Sequence, residues 1–319
     1  MPVNDSISVE DSILVEDSIL VEDSVVVKDF TKASGLRIGV DESEPCRARI
    51  GESEFAWIDV PAGEEASPGA LPLVLIHGFT GHRDDFIEVV SDLARKRRVL
   101  VPDLRGHGDS EARPGPYGWG FEQMVKDLAD WLDYLEIERC DLFGHSMGGM
   151  LTLRFALAHP ERIGSLVFMC TAPELPETLS RSGFEIGAEI AEARGIDGLQ
   201  ELMENASRKN CSETIAGWGE SYWQHHRRRL RAMTPASFRG AGEGFFDAGS
   251  LVDRLTEIEA PTLVLVGEHD TDFLPGAALF EKHIPNATCR RLPDAEHHPH
   301  QENQSAWREA VEQHFDDLR

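Results

Sequence analysis

Short, continuously apolar runs alternate with helix-length amphipathic stretches through most of this 319-residue chain. Such runs are typical of strands buried on both faces, and their alternation with helices predicts a parallel sheet. The predicted strands lie at 71–76, 99–103, 140–143, 165–170, 262–266 and 288–292. The predicted helices lie at 83–97, 121–135, 148–159, 275–283 and 303–318. The pattern therefore predicts an α/β fold with a mainly parallel sheet and helices on both of its faces.

One long region interrupts this alternation. Residues 173–250 carry helical patterns and turn residues but no convincing strand. We interpret the region as a helical cap that is inserted into the sheet domain and covers its open end. The predicted domains are an acidic tail at 1–35, a core in two parts at 36–172 and 251–319, and the cap at 173–250.

The N-terminal segment contains a six-residue repeat, Asp-Ser-Ile-Leu-Val-Glu, at 11–16 and again at 17–22. An even period keeps equivalent side chains on one face of an extended strand, which favours extended over helical structure. A β-helix would need about three or more stacked turns to bury a core, and the repeat is too short for that. We interpret it as a tail without a catalytic role; the alternative is a segment that binds a partner by adding a strand to a sheet edge.

The net charge narrows the range of partners. The formal charge is −26, from 57 acidic and 31 basic residues, and it repels phosphate backbones and anionic lipid surfaces. No apolar run approaches the roughly 20 residues that span a bilayer, and the N-terminus lacks the features of a signal peptide. We therefore expect a cytoplasmic protein that binds neither nucleic acid nor membrane; the oligomeric state stays open. The five cysteines are scattered without CxxC spacing, which indicates neither a disulfide framework nor a zinc clip.

The pentapeptide 144–148, Gly-His-Ser-Met-Gly, has the form G-x-S-x-G. Alone it is weak support for any function, but here it follows a predicted buried strand and opens a predicted helix. In that setting a sharp turn lifts the serine hydroxyl above the sheet edge, and the two glycines make room for the turn. Ser146 is therefore the candidate nucleophile.

A serine hydroxyl needs a base, and the base needs a carboxylate that orients it. Asp270 follows the predicted strand at 262–266, and His297 follows the one at 288–292. The order serine, aspartate, histidine along the chain is the order that this serine motif requires. We therefore predict a catalytic triad of Ser146, Asp270 and His297.

Five segments together resemble the α/β-hydrolase fold family, and the resemblance covers the chain from about residue 55 to the C-terminus. They are 77–81 (HGFTG), 102–110 (PDLRGHGDS), 144–149 (GHSMGG), 267–270 (GEHD), and His297 with Glu302 five residues later. The resemblance implies that the backbone N–H groups of Phe79 and Met147 form an oxyanion hole. It implies also that such donors stabilise a tetrahedral intermediate by about 3 kcal/mol each, and that a helical cap shapes the substrate pocket.

Neighbouring residues offer alternatives for two of the triad positions. Asp272 competes with Asp270, but only Asp270 directly follows the strand. His298 competes with His297, because the family histidine usually follows a glycine and here Glu296 precedes it. The spacing to Glu302 favours His297, and Pro299 restricts the backbone of His298.

Other conspicuous side chains have ordinary structural interpretations. We expect four polar residues of the motif segments to brace loops through hydrogen bonds, namely His77, Arg105, His107 and Asp109. Three aromatic residues could line a substrate pocket or fill the core of the cap, namely Trp218, Tyr222 and Trp223. Several histidines crowd Asp270 and His297, but the H-E-x-x-H spacing of zinc hydrolases is missing, so neither a catalytic metal nor a cofactor is expected.

The predicted reaction is hydrolysis of a small-molecule carboxylic ester or lactone through an acyl-enzyme on Ser146. The same triad would also serve a carbon–carbon bond hydrolase or a cofactor-free, haloperoxidase-like perhydrolase. Relatives in menaquinone biosynthesis are similar around 77–86 but typically carry arginine just after the serine motif, where this chain has Met150. Methionine cannot pair with a carboxylate. A weakly catalytic homologue that binds a ligand is the remaining alternative.

Overall fold

The computed structural model describes residues 45–210 and 213–318, without the side chains of 207, 210, 213–218 and 221. Within these residues, eight strands form one sheet in the order β1-β2-β4-β3-β5-β6-β7-β8. Their bounds are Cys46–Ile50 (β1), Ser53–Val60 (β2), Leu73–Ile76 (β3), Val99–Pro102 (β4), Cys140–His145 (β5), Ile163–Met169 (β6), Thr262–Gly267 (β7) and Ala287–Leu292 (β8). The predicted N-terminal tail and its repeat lie outside the described residues.

The direction of the strands confirms the predicted fold class. All pairings from β4 through β3, β5, β6 and β7 to β8 are parallel. Only β2 runs antiparallel, to both β1 and β4. β1 and β2 have no predicted counterpart; β1 is a short, largely exposed edge strand that contains Arg47 and Arg49, whereas β2 is largely buried.

Helices cover both faces of the sheet. Those described are Ile87–Ala94 (α1), Phe121–Tyr134 (α2), Met147–Ala158 (α3), Arg181–Asn210 (α4), Glu213–Arg231 (α5), Pro235–Phe246 (α6), Leu274–His283 (α7), Pro299–Glu302 (α8) and Gln304–Asp317 (α9). Alternate strand residues serve two separate cores, since Val74 and Ile76 pack with α2, α3 and α7, whereas Leu73 and Leu75 pack with α1 and α9. The predicted helix at 83–97 begins as a 3₁₀ helix, Arg83–Phe86, before α1.

The helical cap lies between β6 and β7 and consists of α4, α5 and α6. Positive φ angles at Gly195 and Gly219 kink α4 and α5. α6 approaches the core closely: a Cβ built on Gly240 would lie 2.1 Å from the Trp119 ring, and one on Gly244 would lie 2.5 Å from the Gly120 Cα. The boundaries of the predicted domains stay predictions. Within the described residues, no helix has the length and apolarity needed to cross a membrane.

Candidate active site

Ser146 occupies the turn between β5 and α3, in a strained backbone conformation with φ 52° and ψ −123°. A positive φ is costly for a residue with a side chain, so the surroundings must hold it. The Ser146 N–H donates to the Met169 carbonyl (3.0 Å), and the Thr171 hydroxyl donates to the Ser146 carbonyl (2.7 Å). A Cβ on Gly144 or on Gly148 would lie 2.4 Å from backbone oxygens. The two glycines of the motif are therefore a steric requirement of this turn.

Asp270 and His297 meet as a hydrogen-bonded pair. The Asp270 Oδ2 and the His297 Nδ1 are 2.9 Å apart, and both side chains are buried. Because a carboxylate only accepts, Nδ1 carries the proton and Nε2 is left as the basic nitrogen. The loops after β7 and β8 come together here, since a Cβ on Gly267 would lie 2.0 Å from the Glu296 carbonyl oxygen.

The same sheet edge brings Ser146 beside this pair. His145 directly precedes the serine, and its Nε2 lies 2.9 Å from the His297 carbonyl oxygen. The centroids of the His145 and His297 rings are 4.7 Å apart. The three predicted triad residues therefore follow three parallel strands and gather at the carboxyl end of the sheet, although their catalytic roles remain a proposal.

The alternative residues lie in different environments. His298 is buried beside His145, with ring centroids 4.7 Å apart, and it is His297 whose ring pairs with Asp270. Asp272 is half-buried, whereas Asp270 also accepts a hydrogen bond from the Phe273 N–H (3.3 Å). The geometry therefore favours Asp270 and His297 over their neighbours.

Glu302 holds the backbone on both sides of His297. Its Oε2 accepts hydrogen bonds from the Glu296 N–H (2.6 Å) and from the His298 N–H (3.2 Å). Burial raises the pKa of this carboxyl to about 7. Sequence reasoning noted Glu302 only for its spacing, and the structure adds that it fastens the loop that carries the candidate base.

The two predicted oxyanion donors lie on either side of Ser146. Met147 is the first residue of α3, and the first N–H groups of a helix have no acceptor within the helix. On the other side, the loop after β3 passes over the serine, since a Cβ on Gly78 would lie 3.1 Å from the Ser146 Cβ. Phe79 follows Gly78 in this loop. These positions suit two donors directed at one oxygen, and that role stays a prediction.

The other polar residues of the motif segments hold loops together. The His77 Nε2 accepts from the Leu104 N–H (3.1 Å), and Arg105 donates to both carboxylate oxygens of Asp127 (2.6 and 2.7 Å). Asp109 pairs with Arg47 and Arg83. The His107 Nδ1 lies 3.1 Å from the Arg105 carbonyl oxygen, and burial lowers the pKa of His107 to about 3, so its ring stays neutral. These contacts support the structural interpretation of all four residues.

Aromatic side chains fill the space between the cap and the loop after β3. The Phe79 ring lies 5.2 Å from the Phe238 ring, 6.2 Å from the Phe184 ring and 6.3 Å from the Phe245 ring, measured between centroids. We call these four residues the phenylalanine group. The sequence analysis did not identify this group. The feature that could have indicated it is the apolar content of the predicted cap. Tyr222 and Trp223, by contrast, pack on each other in the cap (4.3 Å), and the Trp218 side chain lies outside the described set.

The described residues contain one buried group of potential metal ligands. Ligand atoms of Cys170, Asp270 and His297 lie within 4.8 Å of one another. The hydrogen bond between Asp270 and His297 accounts for this proximity, and burial together with Asp270 raises the pKa of the Cys170 thiol well above its usual value. A protonated thiol is a poor metal ligand, so the arrangement fits acid–base chemistry better than metal binding.

Comparisons with known proteins agree with this fold. A family model described as alpha/beta hydrolase fold matches residues 72–304. A putative 2-succinyl-6-hydroxy-2,4-cyclohexadiene-1-carboxylate synthase of Bacillus subtilis is 29% identical over 75% of this chain and 88% of its own length. A 2-hydroxy-6-oxo-2,4-heptadienoate hydrolase of Pseudomonas putida is 42% identical over 31% of this chain and 36% of its own length. The solved structure of a thermophilic esterase from Thermogutta terrifontis superposes with a TM-score of 0.68 and 27% identity, over 86% of this chain and 99% of that one.

Proposed function

The chain belongs to the α/β-hydrolase fold family, and from this premise we propose that it is a serine hydrolase that cleaves a small carboxylic ester or lactone. Ser146 would act as the nucleophile, His297 as general base and acid, and Asp270 as the group that orients His297. The observation that carries the proposal is the buried hydrogen bond of 2.9 Å between Asp270 and His297, beside a serine held in a strained turn.

The proposed reaction has two steps. Ser146 Oγ attacks the carbonyl carbon while its proton passes to His297 Nε2, and the N–H groups of Phe79 and Met147 bind the developing oxyanion. The tetrahedral intermediate collapses, and the alkoxide leaves with the proton from His297. Water then attacks the acyl-enzyme, again giving its proton to His297, and the acid is released as Ser146 recovers its proton.

The surroundings of Ser146 support a small, apolar acyl group. The phenylalanine group packs the cap against the loop beside the serine through aromatic rather than charged side chains. Met150, four residues after the serine, is fully buried in the apolar core. Position 150 therefore provides no cation for a substrate carboxylate, which distinguishes this chain from the expected pattern of menaquinone-pathway relatives.

Cleavage of a carbon–carbon bond is the second candidate function. The Pseudomonas putida relative is named as a hydrolase of a heptadienoate, and its similarity to this chain is high within the matched third. The triad and the oxyanion donors would serve both reactions, so only a substrate panel separates them.

The decisive experiment combines active-site labelling with an esterase assay. We expect a fluorophosphonate to attach to Ser146, and Ser146→Ala to reduce p-nitrophenyl acetate turnover by about 10⁴-fold or more. Ser305→Ala, at an exposed serine in α9, is the matched control and should leave turnover unchanged. A panel of esters, lactones and 1,5-diketones then assigns the bond that is cleaved. Labelling at another residue, or turnover in Ser146→Ala within about tenfold of the wild type, would overturn the proposal.

A further inference from the structure

Asp85 lies where three parts of the molecule meet. It belongs to the 3₁₀ helix Arg83–Phe86, just after the loop that carries Phe79, and its side chain is only 4% exposed. A buried carboxylate is costly unless it is paired and hydrogen-bonded. Its partners come from the cap, from the loop after β3 and from the segment that follows His297.

The cap supplies two donors from α5. The His225 Nε2 lies 2.8 Å from Asp85 Oδ1, and the Arg229 Nη1 lies 3.3 Å from Asp85 Oδ2. Burial lowers the pKa of His225, so its neutral ring donates from Nε2. Burial alone would raise the pKa of the Asp85 carboxyl, but Arg229 and His225 hold it well below its usual value. Asp85 is therefore an anion enclosed between cap and core.

The same carboxylate lies directly against the loop after β3. The His82 N–H donates to Asp85 Oδ2 (2.9 Å). A Cβ built on Gly81 would lie 2.9 Å from that oxygen, so the backbone passes in contact with the carboxylate. Three residues earlier, Gly78 lies against Ser146. The carboxylate of Asp85 thus supports the loop that passes over the serine, and the position of the loop depends on it.

The backbone carbonyl of Asp85 binds the segment that follows the candidate base. It accepts hydrogen bonds from the His300 Nε2 and from the Gln301 side-chain amide, each at 3.1 Å. Both donors belong to α8, which begins two residues after His297. One residue therefore connects the cap with both loops that carry proposed catalytic groups.

We propose that Asp85 is a positioning residue, through which α5 of the cap fixes the loop bearing Phe79 and the segment bearing His297 relative to Ser146. This inference rests on the proposed function, because its readout is the reactivity of Ser146. Catalytic geometry is sensitive to displacements of about 1 Å, which can cost about 100-fold in rate. Asp85 contacts no reacting atom, so its loss should lower the rate of chemistry more than the binding of substrate.

The test compares Asp85→Asn with Asp197→Asn in p-nitrophenyl acetate turnover and in the rate of fluorophosphonate labelling. Asparagine keeps the shape of Asp85 but removes the charge that Arg229 and His225 face. We expect kcat and the labelling rate constant to fall about 10- to 100-fold, with KM changing less than about threefold. Asp197 is the control: it also pairs with an arginine of α5, Arg231 (2.6 Å), but both side chains of that pair are exposed, at 75% and 57%. Exposed pairs contribute little, so Asp197→Asn should leave kcat within about twofold of the wild type.

A second pair of variants tests the cap side and covers the case in which Asp85→Asn does not fold. His225→Gln keeps an N–H donor for Asp85 and should retain most of the turnover, whereas His225→Leu removes the donor and should lose it. Wild-type protein that labels at Ser146 while both Asp85→Asn and His225→Leu label at the wild-type rate would overturn the positioning role. A loss expressed only in KM would also overturn it. Absence of labelling in the wild type would instead refute the proposed function.

Discussion

The triad region and the cap face the same edge of the sheet, but they are held by different kinds of restraint. Around the triad the restraint is backbone against backbone: Ser146 has a φ of 52°, and a side chain on Gly144 or Gly267 would overlap main-chain oxygens. The cap, in contrast, contacts the core largely through side chains, apart from the close approach of Gly244 in α6 to the Gly120 backbone. Charged groups meet at Asp85, aromatic rings meet at Phe79, and α6 packs on Trp119.

The difference teaches which properties each region controls. Backbone restraints leave the reacting groups a single arrangement, so changes there should affect every substrate equally. Side-chain contacts can repack at moderate cost, so changes in the cap should alter stability and the level of activity without removing the chemistry. The following predictions test this division from the largest expected effect to the smallest.

The largest effect is expected at the carboxylate of the triad. Asp270→Asn should lower kcat for p-nitrophenyl acetate by about 10³- to 10⁴-fold, because an amide no longer holds His297 in the tautomer that leaves Nε2 basic. Asp272→Asn, two residues away and half-buried, should stay within about threefold of the wild type. Steady-state kinetics on both variants checks this. Equal losses in the two would show that Asp270 has no special role.

A smaller effect is expected where α6 packs on the core. Gly240→Ala introduces a Cβ that would lie 2.1 Å from the Trp119 ring, so the ring or the helix must move. We expect the free energy of unfolding to fall by about 1–3 kcal/mol, with kcat of the folded protein within about threefold of the wild type. Gly249→Ala, where no heavy atom lies within 4 Å of the new Cβ, is the control for the change in backbone entropy. Urea unfolding of the two variants measures this difference. Coinciding unfolding midpoints would contradict the prediction.

The smallest effect of a single substitution concerns acid stability, in which core and cap should behave alike. Burial lowers the pKa of His300, in the core, to about 4 and that of His226, in the cap, to about 3. The unfolded chain therefore binds more protons than the folded protein as pH falls below about 6.5. Each such histidine contributes stability that is present above pH 6.5 and is lost towards its folded pKa, at up to about 1.4 kcal/mol per pH unit.

Urea unfolding between pH 7 and pH 5 measures this loss. Glu302 acts in the opposite direction, because burial raises its pKa from 4.5 to about 7 and its contribution is lost as pH rises through that range. Four histidines whose pKa values are lowered to about 3 or 4 outweigh it, namely His107, His226, His300 and His314. His300→Gln and His226→Gln should each flatten the pH dependence, whereas His269→Gln, at an exposed site, should not. A flat profile in the wild type would contradict the prediction.

The two regions also differ in how far the sequence predicts them. The core strands could be predicted because burial on both faces leaves continuous apolar runs, and the fold class is confirmed. The meeting of Asp270 with His297 follows from the same logic, since the carboxyl ends of parallel strands share one edge. β1 was not predicted because this exposed edge strand carries polar side chains and no continuous apolar run. β2 was not predicted either, although its residues 55–58 are buried.

The contacts of the cap could not be predicted in the same way. Asp85 and His225 are separated by 140 residues, and nothing in the pattern around either one indicates the other. Such pairs depend on the angle at which a helix docks, which is set by side-chain packing rather than by periodicity. Phe79 could be named as an oxyanion residue only through the family resemblance, and its ring contacts with the cap required coordinates.

The order of the strands has a consequence for how copies of this protein behave in a crowded solution. Among the described residues the sheet ends at β1 and β8, and an open sheet edge can recruit a strand from another molecule. Each of these strands carries two arginines, Arg47 and Arg49 in β1 and Arg290 and Arg291 in β8. In a chain with a net charge of −26, cations are thus placed where self-association would begin. Edge-to-edge contact between two copies would bring like charges together, which discourages polymerisation through the sheet.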